Sequence, residues 1–182
     1  MSLPKKADRS FAVVKIVMLM IFASSFAAHA SLEFYAGEPV ELESLQIVPN
    51  YLTGVQTDKA PAGAATGKNS VLLEADVHAM KGEAHGFPEG AWIPYLTITF
   101  KLSKAGTAFS RQGTLYPMTA KNGPHYANSV DMNGPGIYHL AYTISPPDSN
   151  GFIRHIDKAT GVSNWWAPIT ANWIFTYPGK SR

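Results

Sequence analysis

The stretch Val71-Leu72-Leu73-Glu74-Ala75-Asp76-Val77-His78-Ala79 decides how the chain is read. Its apolar residues Val71, Leu73, Ala75, Val77 and Ala79 fall on one face of a strand. Leu72, Glu74, Asp76 and His78 fall on the other. No helical register separates the two sets as cleanly. A second stretch, Tyr95 to Leu102, alternates in the same way, with Leu96, Ile98, Phe100 and Leu102 opposite Tyr95, Thr97, Thr99 and Lys101. Gly113 to Met118, Ile137 to Ile144 and Trp173 to Tyr177 are further expected strands, rich in β-branched and aromatic residues.

Turn signals lie between these runs at Lys104-Ala105-Gly106, Lys121-Asn122-Gly123-Pro124, Asn133-Gly134-Pro135-Gly136 and Pro146-Pro147-Asp148. Residues 57–70 are small, polar and rich in Gly and Pro, and read as a surface loop. Short strands with such punctuation, and little helix, predict an all-β fold: an immunoglobulin-like β-sandwich. The chain has no cysteine, so its stability must come from the core, for which four Trp and eight Tyr are available.

The first 30 residues belong to a different class. Lys5, Lys6, Arg9 and Lys15 precede an apolar run from Ile16 to Phe26, and Ala28-His29-Ala30 supplies a small-x-small cleavage pattern. The run is shorter than the roughly 20 apolar residues that span a bilayer. A cleavable signal helix over residues 1–30 is expected, leaving one domain over 31–182 with no permanent membrane span. Removing the signal changes the charge balance. The whole chain has 15 Lys and Arg against 13 Asp and Glu, and four of those bases and one acid precede residue 31. What remains is near neutral, which argues against nucleic acid as a partner.

Glu74, Asp76 and His78 point the same way at intervals of about 7 Å. The spacing favours a solvated strand face, but two carboxylates and an imidazole are also what a metal or proton-transfer site uses. A second group is Met118, at the end of an expected strand, with His125 on a Gly-Pro turn and His155 in a loop. A thioether beside imidazoles suits copper, whereas hard cations prefer oxygen donors. Each residue also has an ordinary structural reading, Met118 as core filler and the histidines as loop residues. His85 reads as a mobile loop residue, His139 as structural or surface, and Trp165-Trp166 as core rather than a sugar platform. No nucleophile elbow, zinc-protease helix or phosphate loop is present.

Four segments carry a family resemblance: LEADVHA from Leu73, WIPYLTI from Trp92, YPMTAKNGPHYANSVDM from Tyr116 and HIDKATGVSNWW from His155. In this order they resemble the bacterial periplasmic ferrous-iron transport family, which includes the treponemal pathogen-specific membrane antigen. The resemblance runs from Gly37 onward. It implies a homodimeric, immunoglobulin-like periplasmic protein that binds copper and assists iron uptake beside an inner-membrane permease. It also implies Met118, His125 and His155 as copper ligands with Glu74, and matches Asp76 and His78 to family positions. The family's histidine two residues before that glutamate is Leu72 here, which has no donor atom. His78 lies about 20 Å further along the strand and does not replace it. Two other functions fit the same residues: a copper-dependent enzyme acting on iron, and an adhesion or sugar-binding module using Trp165 and Trp166.

Overall fold

A computed structural model describes residues 32–180. The expected signal segment lies outside them. Nine strands occur in the described residues: β1 (Leu32–Tyr35), β2 (Val40–Leu42), β3 (Leu45–Thr53), β4 (Ser70–Ala79), β5 (Thr97–Lys104), β6 (Ser110–Ala120), β7 (Gly123–Asp131), β8 (Gly136–Ser145) and β9 (Ile169–Tyr177). The only helical element among them is one 3-10 turn, Pro147–Asn150, and no helix there is long and apolar enough to cross a membrane. The fold is the all-β, immunoglobulin-like sandwich expected.

Hydrogen bonding runs in the order β1-β3-β4-β7-β6-β5-β8-β9, with β2 also on β3 and every pair antiparallel. One strand joins the two layers. The first half of β6, Ser110 to Leu115, pairs with β5, and the second half, Tyr116 to Ala120, pairs with β7. A strand that changes partners in mid-course turns a corner between sheets. The core lies between the layers. Leu45, Ile47, Leu73, Ala75 and Val77 enter it from one sheet, and Ile98, Leu102, Leu140, Tyr142 and Ile144 from the other. The Tyr142 hydroxyl crosses it to donate to the Glu74 carbonyl at 2.9 Å.

All five expected strands form, with boundaries a few residues different. The alternation of Val71–Ala79 holds on its inner face, but the outer face is not solvated as its spacing favoured: Leu72 and Glu74 are buried and Asp76 and His78 half-buried. The Gly-Pro turn expected to carry His125 is a correction. Ala120 pairs with Gly123, so the turn is only Lys121-Asn122, and Gly123–Asp131 is strand β7 with His125 inside it. Pro124 is accommodated because the β4–β7 ladder ends at Ala75 and Tyr126. His85 is a second correction. Its ring stacks on Trp165 at 5.1 Å, one nitrogen contacts the buried Glu83 carboxylate, and the other lies 2.9 Å from the Asn164 carbonyl. Trp166 is buried and Trp165 packs on Phe152, as a core reading requires.

The segment between β3 and β4 is the loop expected over 57–70, and it folds back across the outer face of the β3-β4-β7 sheet. Ala65 donates its N–H to the Ser129 carbonyl at 2.9 Å, and buried Asn128 donates to the carbonyls of Ala62 at 3.1 Å and Thr114 at 2.8 Å. That covering is what removes Glu74 from water. Asn128→Ala removes two side-chain hydrogen bonds that tie the loop to the sheet and should cost about 1–3 kcal/mol in stability. It should also make residues 57–70 a preferred site of limited proteolysis. Unchanged stability and cleavage would show that Asn128 does not hold the loop.

Candidate metal centre

Four strands bring the candidate ligands to one face by register alone. Glu74 and Asp76 are two apart on β4 and so share a face. His125 stands directly across from Met118 in the β6–β7 hairpin. Opposed antiparallel residues place their Cβ atoms about 5 Å apart on the same side. On the other flank of β4, Asn50 of β3 is the cross-strand partner of Glu74. One ligand atom from each of Glu74, Asp76 and His125 lies within 4.8 Å of the others. Beside them is a cavity of about 800 Å³, lined by Leu52, Val55, Leu72 and Met118 and bordered by Glu74 and His125.

Glu74 is 1% exposed and His125 5%. The Glu74 Oε2 to His125 Nε2 distance is 3.4 Å, longer than a charge-assisted hydrogen bond. Burial drives both groups toward their neutral forms. It raises the Glu74 carboxyl to about 7, with the charges of Asp76 and Glu33 adding to the rise and the Asn50 amide opposing it. Burial also raises Asp76, against the nearby His78 and His125. It lowers His125, against the charge of Asp76, a backbone hydrogen bond at Gly123 and the charge of Glu33. The contact is therefore a neutral imidazole next to a carboxyl that readily takes a proton, not a closed ion pair.

This arrangement fits a cation. Oε1 of Glu74 is buried with no hydrogen-bond partner, a state that costs about 1–3 kcal/mol unless something satisfies it. Neutral imidazole is the form of histidine that ligates metal. The Met118 thioether adds a soft donor and the carboxylates add hard ones.

Met118, His125, Glu74 and Asp76 thus lie on one face. His78 is not within the ligand group; it bridges to Trp92 and acts on Asp76 only through charge. His155 is also outside the group, exposed on the segment after β8 with Nδ1 2.8 Å from the Thr160 hydroxyl. Two residues absent from the sequence reading belong to the site's surroundings. Asn50 donates to Glu33 Oε1 at 2.9 Å and to Asp76 Oδ2 at 3.4 Å. The available signal was the cross-strand position of Asn50 opposite Glu74, which needs the β3 register.

Fold and site define a class: an immunoglobulin-like sandwich with a mixed soft and hard donor set on the covered outer face of one sheet. More particularly, the chain belongs to the Fe2+ transport protein family, whose model matches residues 30–179. A UPF0423 protein of Brucella abortus (strain 2308) is 34% identical over 175 residues, covering 94% of this chain and 96% of that protein. The 34 kDa membrane antigen of Treponema pallidum is 34% identical over 147 residues, 78% of this chain and 72% of the antigen. Among solved structures, a copper-bound variant of FetP from uropathogenic Escherichia coli matches with a TM-score of 0.78. It is 40% identical and covers 82% of this chain and 99% of FetP. Copper-reconstituted P19 from Campylobacter jejuni matches at 0.77 and 38% identity, with the same coverage.

The raised carboxyl of Glu74 has a consequence for the metal-free protein. A folded value of about 7 against an ordinary 4.5 means that the fold favours the protonated carboxyl. That contribution is complete below about pH 4.5 and is lost as pH rises through 7. Glu74→Gln keeps the neutral shape at every pH. In metal-free thermal melts its Tm advantage over the unaltered protein should therefore grow from pH 5 to pH 8. An advantage independent of pH would contradict the burial of an unpaired Glu74.

Proposed function

We propose that this protein is a periplasmic metal-binding component of iron uptake, which holds copper at Met118, His125 and Glu74 and passes iron to an inner-membrane permease. The observation that carries this reading is the buried, unpartnered Glu74 oxygen beside His125 and across the hairpin from Met118. Membership of the Fe2+ transport family and likeness to copper-bound FetP and P19 support the metals named. Residues 1–30 would direct export and be removed after Ala30.

The roles of the side chains follow from their chemistry. Met118 and His125 supply the soft and intermediate donors that retain copper. Glu74, when ionised, balances its charge. Copper bound there would supply a fixed positive charge and a one-electron couple. Asp76 adds a hard oxygen for iron at the same face. The covering loop limits exchange with water.

His155 enters from a second copy in a homodimer. It is exposed, outside the ligand group, and flanked by Ile153 and Ile156, which are 88% and 80% exposed. An imidazole between two bare isoleucines is suited to packing on an apolar wall such as the one formed by Leu52, Val55 and Leu72 around the cavity. Leu72 leaves the centre one imidazole short of the family's set, which predicts a weaker copper site than a histidine there would give.

Calorimetric titration of copper into the secreted form tests this reading, beside Met118→Ala and Leu72→His. The expected result is one copper per chain and tighter binding in Leu72→His. Met118→Ala should lose more than the roughly tenfold affinity that removing an outer partner of a metal ligand costs. Unchanged affinity in Met118→Ala would rule out these ligands.

A further inference from the structure

Asn50 is 2% exposed and stands in the middle of β3, directly across from Glu74. Its Nδ2 donates to Glu33 Oε1 on β1 at 2.9 Å and to Asp76 Oδ2 on β4 at 3.4 Å, and the strand register sets it beside Glu74. An NH2 group among three carboxylates provides what a cation would provide there: positive charge shared between oxygens that otherwise repel. With the nitrogen side committed, Oδ1 is buried and has no donor, and Oε1 of Glu74 is in the same condition. A primary amide is nearly symmetric in shape, so half a turn about its last bond exchanges oxygen and nitrogen without moving the backbone.

We propose that Asn50 determines the iron side of this centre: its amide nitrogen holds the place of a hard divalent cation among Glu33, Glu74 and Asp76, and the turned amide presents Oδ1 to the cation as a ligand. The inference rests on the reading of the protein as a metal-binding component of iron uptake, and adds to it the residue and the cation class. Carboxylate and amide oxygens select cations such as Mn2+ and Fe2+, whereas the thioether and imidazole of Met118 and His125 select copper. The two ends of the centre share Glu74 and differ in everything else. Asn50 touches only the oxygen end.

The test is anaerobic Mn2+ titration followed by electron paramagnetic resonance, with copper titrated in parallel. It compares the unaltered protein with Asn50→Leu, which keeps the bulk, and Asn50→Asp, which keeps the oxygens. Mn2+ should bind the unaltered protein, weaken by about tenfold or more in Asn50→Leu, and recover or tighten in Asn50→Asp. Copper affinity should move far less in Asn50→Leu. Equal Mn2+ binding in Asn50→Leu, or none in the unaltered protein, overturns the role of Asn50 while copper binding leaves the proposed function standing. Loss of both metals in Asn50→Leu without rescue by Asn50→Asp also overturns it, because Asn50 would then be merely structural. Failure of the unaltered protein to take copper contradicts the proposed function itself.

Discussion

A carboxylate buried without a counter-charge governs this molecule. Glu74 lies at the centre of a sheet, between β3 and β7, and the segment after β3 folds over it. Ordinary surface strands place their acids in water, where an unpaired carboxylate costs nothing. Here water is removed, the nearest charges are acidic, and the imidazole 3.4 Å away is itself driven toward neutrality. Proton uptake relieves the strain in part, and a cation relieves it more fully. Affinity for metal is thus stored in the folding of the apoprotein.

The scaffold makes that storage possible. Tyr142 reaches across the core to the Glu74 carbonyl, so the backbone under the carboxylate is tied to the opposite sheet. The change of partner in the middle of β6 carries Met118 out of one layer and beside β7. The two-residue turn Lys121-Asn122 then sets His125 opposite it. A soft donor pair and a hard donor cluster arise from two registers, β6 on β7 and β3 on β4, that meet at Glu74. The first register is closed by a two-residue turn, and the second by the long segment between β3 and β4 that folds across the same sheet.

The architecture was legible because alternation is a local property. Val71–Ala79 and Tyr95–Leu102 each carry their own period, and the turn residues between runs mark the hairpins. Strand β3 was not legible, since Pro49 interrupts a run that otherwise alternates Leu45, Ile47 and Tyr51 inward. Strand β7 was hidden by Gly123-Pro124, which reads as a turn until the pairing of Ala120 with Gly123 is seen. The site was legible in part: Glu74, Asp76, Met118 and His125 were picked by chemistry and resemblance. Burial of Glu74 was not, because the cover comes from a polar loop of no regular structure. Asn50 escaped for the same reason as β3, and the separation of His155 and His78 from the cluster is a matter of three-dimensional path rather than of residue type.

The central claim is that one metal sits on the β4-β6-β7 face with a sulfur ligand. X-ray absorption at the copper edge of the copper-loaded protein tests it most directly. The account predicts one sulfur neighbour together with imidazole nitrogen and carboxylate oxygen, the sulfur vanishing in Met118→Ala. A copper environment of nitrogen and oxygen alone in the unaltered protein would contradict it.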